Sequence, residues 1–145
     1  MMQQLSPQAE QAVRLAHEIA REYRKDYVST EHLLLAFARQ GEGAAYDYLQ
    51  AHGLDEDRLR KRLRMLIGAQ MEETWVFGRL PGTPHFKRVM ERAIEHAERA
   101  GAARIGTAAL LAGILEEVGS LGQRVLTAEG IDADLATSEL LTAED

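Results

Sequence analysis

The chain has 145 residues, of which 46% are hydrophobic and 28% charged, and its formal net charge is -6. It contains no cysteine, which excludes disulfide frameworks, thiolate metal sites and cysteine nucleophiles. Its acidity disfavours general nucleic-acid binding, and no apolar run approaches the roughly 18 residues that would span a bilayer. The start, MMQQLSPQAEQ, lacks the basic and apolar regions of a secretory signal, so a cytoplasmic location is expected.

In chain order, Ser6-Pro7 opens the first predicted helix, with the hydroxyl as cap and the proline where a missing N–H costs nothing. Ala9, Ala12, Val13, Ala16, Ala20 and Tyr23 then form one apolar stripe at helical spacing. Thr30 is read as the cap of a second helix carrying Leu33, Leu34 and Phe37. A short third helix follows Gly43 and ends at Gly53, where a left-handed glycine terminates a helix cheaply. Asp55 caps a fourth.

The same order returns 77 residues later. Thr83-Pro84, Thr107, Ser120, Gly130 and Asp132 repeat the punctuation. Laid over one another, residues 6–67 and 83–144 give 13 identities in 62 pairs, among them Pro7/Pro84, Leu33/Leu110, Gly53/Gly130 and Asp55/Asp132. The sequence therefore predicts an all-α fold of eight helices, arranged as two tandem four-helix repeats with pseudo-twofold symmetry. One domain is expected over 1–145, with repeat one at about 6–67, a linker at about 68–82 and repeat two at about 83–144. No strand pattern competes.

Catalytic and metal signatures are lacking. His17-Glu18 begins like H-E-x-x-H, but position 21 is arginine; the five histidines show no ligand spacing, and no phosphate-binding G-x-x-x-x-G-K-[ST] loop occurs. No cofactor, no metal and no enzymatic activity are expected. His32 reads as a hydrogen-bonded structural residue. In the linker, Trp75 and Phe77 are either packing anchors or part of a partner-binding patch. In the run Arg58-Leu59-Arg60-Lys61-Arg62-Leu63-Arg64, the cations, Arg60 and Arg64 among them, form either a solvated face or a docking surface for an acidic partner.

Ser6-Pro7, then Ser29-Thr30-Glu31-His32-Leu33-Leu34-Leu35-Ala36, then Gly41-Glu42-Gly43-Ala44-Ala45 and Leu49 to Gly53 resemble the Clp N-terminal repeat, most closely the ClpC type. The resemblance covers nearly the whole chain. It implies a substrate- and adaptor-receiving module of Clp/Hsp100 AAA+ unfoldases and their proteases, with shallow sites for phosphoarginine. Carried onto this sequence, it nominates Ser6, Thr30 and Glu31 as one ligand site, the helix starts for the phosphate and Glu31 for the guanidinium. Thr83, Thr107 and Ala108 form the second, weakened because Ala108 replaces the acid. At most one competent site is expected. Protein substrates or adaptors are the expected partners, not nucleic acid or membrane. An alternative is a free-standing regulatory decoy or scavenger that competes for adaptors, tags or small molecules.

Overall fold

The computed structural model describes residues 4–67, 82–143 and 145. Trp75 and Phe77 lie outside the described residues. Eight helices are found among those described: α1 (Pro7–Glu22), α2 (Thr30–Gln40), α3 (Ala44–Ala51), α4 (Glu56–Ile67), α5 (Pro84–Arg99), α6 (Thr107–Glu116), α7 (Leu121–Ala128) and α8 (Ala133–Leu140). The all-α, twice-repeated architecture expected from the sequence is the one observed.

Local chemistry sets the helix ends. Ser6 Oγ accepts from the Ala9 amide and Thr83 Oγ1 from the Phe86 amide, each at 3.1 Å. Asp55 and Asp132 accept from Arg58 and Leu135 in the same way. Gly53 and Gly130 adopt φ of 70° and 87°, and the amides of Leu54 and Ile131 reach back to Leu49 and Leu126, closing α3 and α7 with left-handed caps.

Two expectations are corrected. Thr30 and Thr107 are the first helical residues, not the caps; Ser29 and Gly106 hold those positions with extended backbone. The threonine hydroxyls are engaged elsewhere. Thr30 Oγ1 accepts the Gly122 amide at 2.9 Å, and Thr107 Oγ1 accepts the Ala45 amide at 3.1 Å. There are also strands: β1 (Gln4–Leu5) and β2 (Arg104–Ile105) pair in parallel, and a single bridge joins Val28 to Gly82. Two residues are too few to leave a period-two pattern in the sequence.

The central helices explain the core. Thr30 to Phe37 in α2 are buried without interruption, and α6 is buried nearly all round, which is why neither shows a polar stripe. Around them, α1 and α5 each lay a narrow face of small residues, Ala9, Ala12, Ala16 and Ala20 in one and Val89, Ala93 and Ala97 in the other. Fully buried Leu33, Leu34, Phe37, Leu110 and Leu111 each contribute about 1.5–3 kcal/mol of transfer free energy. The short helices interlock the halves: α3 packs on α6 and α8, and α7 on α2 and α4.

Candidate functional site: two helix-start cradles

The two parallel pairings have the same register, Leu5 opposite Ile105 and Gly82 opposite Val28. The Ser6 amide donates to Ile105 O at 2.8 Å, and the Thr83 amide to Val28 O at 3.0 Å. The start of α1 is thereby fixed beside the start of α6, and the start of α5 beside that of α2. Each cradle takes one helix start from each repeat.

This changes the grouping expected from the sequence. Ser6 does not meet Glu31. It lines a cavity of about 430 Å³ with Gly106, Ala108 and Asp145, and Thr107 bonds to Asp145 there. Glu31 instead lines a cavity of about 630 Å³ with Thr83, Ser29 and His85. The acid of the first repeat and the cap of the second share one site, because the chain exchanges partners across the pseudo-twofold axis. Thr30 is fully buried and holds Gly122 beneath the site rather than facing it.

The α5/α2 cradle brings an acid and basic side chains together. Glu31 is 5% exposed, and its Oε1 has no hydrogen-bond partner among the described residues. Burial pushes its carboxyl above the ordinary carboxylate range, opposed in part by Ser29 and by the nearby charges of Lys25 and His85. Lys25, His85 and Arg124 line the same cavity, and Tyr27, Leu63, Leu66, Ile67 and Leu121 supply its apolar wall. The first-turn amides of two helices add positive potential. A ligand that carries an anion and a cation a few ångströms apart matches this arrangement.

His32 lines the same cavity and holds its wall in place. Its Nδ1 accepts the Ser29 amide at 3.0 Å, and the ring lies between Tyr23 and Tyr27 with centroids 6.0 and 6.2 Å away. Burial, aided by Lys25 and His17, pulls its pKa down to about 4, so the ring is neutral near pH 7. His85 is anchored from outside the cradle: its Nδ1 meets Glu117 Oε2 at 2.6 Å. Burial pushes Glu117 up, but Arg88, His85 and Arg92 outweigh it and hold that carboxyl below its usual range.

The basic run on α4 is largely committed to intramolecular pairs. Arg60 contacts Glu56 at 2.7 Å and Glu22 at 3.2 Å and lies over the Tyr23 ring, while Arg58 and Arg62 clasp Glu129. Acids from other elements hold three of these arginines, and Arg58 and Arg64 are exposed. Lys25, His85 and Arg124 were missed by sequence reasoning. His85 alone left a signal, being in the first turn after the Thr83-Pro84 helix start.

Comparison with known proteins is decisive for the family: the family described as the Clp repeat (R) N-terminal domain matches residues 4–141. The chain belongs to this family. It is 31% identical over 141 residues to the negative regulator of genetic competence ClpC/MecB of Bacillus subtilis (strain 168), covering 97% of this chain and 17% of that protein. The chain thus spans about a sixth of the length of that relative. Among solved structures, the N-terminal domain of the ClpD chaperone from Arabidopsis thaliana superposes with a TM-score of 0.77 at 21% identity, covering 96% of this Clp repeat chain and 93% of the other. A complex of the ClpV N-domain with a VipB peptide gives 0.71 at 16% identity, with 96% and 88% covered. These likenesses concern the fold. Among the described residues, no helix is long and apolar enough to cross a membrane, and no group of three His, Asp or Glu is placed to hold a metal ion.

Proposed function

We propose that this Clp repeat domain is a non-catalytic receptor that takes protein substrates or adaptors for a cytoplasmic Clp/Hsp100 AAA+ unfoldase, and that its α5/α2 cradle accepts phosphoarginine. The observation that carries this reading is the buried, unpartnered Glu31 Oε1 in a cavity shared with the Thr83-capped start of α5. A guanidinium would satisfy that oxygen, and the phosphate would lie against the helix starts with Lys25, His85 and Arg124 nearby. The peptide in the ClpV complex supports a peptide-receiving role for this fold.

Calorimetric titration with free phosphoarginine tests the site. Saturable binding by the native chain and a loss of about tenfold or more in Glu31→Ala are expected, since a hydrogen bond to a charged group contributes roughly 1.5–3 kcal/mol. No binding by either protein removes phosphoarginine as the ligand, and equal affinity in both removes the Glu31 cradle as its site. The alternative of a free competitor is separated by adding the chain to a ClpC-type unfoldase degrading an arginine-phosphorylated protein. A decoy lowers that rate in proportion to its concentration, and its effect vanishes with Glu31→Ala.

A further inference from the structure

The α1/α6 cradle has an occupant. Asp145 Oδ2 accepts from Ser6 Oγ at 2.5 Å, and Asp145 Oδ1 accepts from Thr107 Oγ1 at 2.7 Å. Both hydroxyls belong to buried residues, 8% and 0% exposed. Each also accepts a backbone amide, from Ala9 and from Ala45, which directs its own proton toward the carboxylate. The Ala44 amide reaches Oδ1 at 3.4 Å, the Ala108 amide donates to the backbone oxygen of Asp145 at 2.9 Å, and Thr107 Oγ1 lies 3.3 Å from that same oxygen.

Room for this carboxylate is specific to the one cradle. A Cβ on Gly106 would fall 2.6 Å from the Asp145 carbonyl carbon, and one on Gly43 would fall 3.1 Å from Oδ1. The positions 77 residues away are Ser29 and Ser120, so the opposite cradle has side chains where this one has none. The acid has changed places as well. Glu31 is replaced by Ala108 here, and a carboxylate arrives instead on the donors that an incoming anion would use.

We propose that the α1/α6 cradle is an oxyanion site closed in cis by Asp145, so that an external phosphate or carboxylate binds there only by displacing Asp145. A tethered competitor acts at an effective concentration on the order of millimolar, which masks a weak external ligand without any change in the donors. This holds whether or not the opposite cradle takes phosphoarginine, because it concerns donors that the Glu31 cavity does not share.

The test follows backbone amide resonances of the full chain during titration with inorganic phosphate, and with acetate in parallel. In Asp145→Ala, and in Asp145→Asn, which keeps the side chain's size, the Ala108 and Ala9 amides are expected to shift saturably. The apparent affinity should be at least tenfold tighter than in the native chain. Adding Ser6→Ala to Asp145→Ala should abolish the gain. Unchanged resonances of the Phe86 amide, at the opposite cradle, before titration would show that the variants fold. Ala108 responses that are equal in native and variant proteins, or absent from both, overturn the proposal.

Discussion

The amide of Gly122 donates to the hydroxyl of Thr30 across 92 residues of sequence, at 2.9 Å and out of reach of solvent. Its counterpart joins Ala45 to Thr107. Each repeat thus completes the start of a short helix in the other. Thr30→Val keeps the shape and leaves a buried amide unsatisfied, which costs about 1–3 kcal/mol. Urea denaturation should show that loss, and Thr30→Ser should recover most of it.

Glu31 places the domain's stability and its proposed ligand binding in opposition. Its raised pKa means that the folded state holds a proton more tightly than the unfolded state. The associated stability is present below the ordinary glutamate pKa and is lost as pH rises through the folded value. At pH 7 burying Glu31 is therefore a cost to folding, and Glu31→Gln should unfold at a temperature higher by about 2–4 °C per kcal/mol relieved. Scanning calorimetry at pH 7 and pH 4 checks this: the gain should shrink at the lower pH, while phosphoarginine affinity falls.

His32 gives the fold an acid sensitivity of its own. With its pKa near 4 when folded and near 6.5 when unfolded, the unfolded chain binds the extra proton first. Stability is unaffected above about pH 7 and declines between about pH 6.5 and 4, by about 3 kcal/mol at most. His32→Gln should flatten that part of a pH–stability profile measured by denaturant midpoints.

Gly113 lets α6 approach α5. A Cβ there would lie 2.8 Å from the Val89 carbonyl oxygen and 3.2 Å from Val89 Cγ1, whereas the positions 77 residues earlier are Ala36 and Ala12. Relative to that alanine pair, α6 has the smaller residue and α5 the larger. Gly113→Ala should cost about 1–3 kcal/mol by overpacking, read from the denaturation midpoint. Val89→Ala added to it should restore only part, because the backbone oxygen remains.

Much of this was visible in the residues. Ser6-Pro7 and Thr83-Pro84, the left-handed Gly53 and Gly130, and the capping Asp55 and Asp132 are local devices, and local devices leave local signals. The identity of neighbours across the axis left none. Ser6 and Glu31 share a repeat but not a cavity, since a two-residue strand pair at one cradle and a single bridge at the other decide which starts lie side by side. Thr30 looks like a cap because threonine commonly is one; its hydroxyl was claimed by an amide in the other repeat. Likewise, the arginines of α4 read as a free charged face because Glu22 and Glu129, which hold them, come from α1 and from the end of α7.

The exchanged cradles also bear on ancestry. A lone four-helix unit of this kind would have both kinds of helix start but no completed cavity, and the donor for its Thr30-type hydroxyl would be missing. Two such units would supply each other's missing parts as a homodimer, with identical cavities on either side. Within one chain the two cavities need not match, and here one has Glu31 at its wall while the other has Gly43 and Gly106.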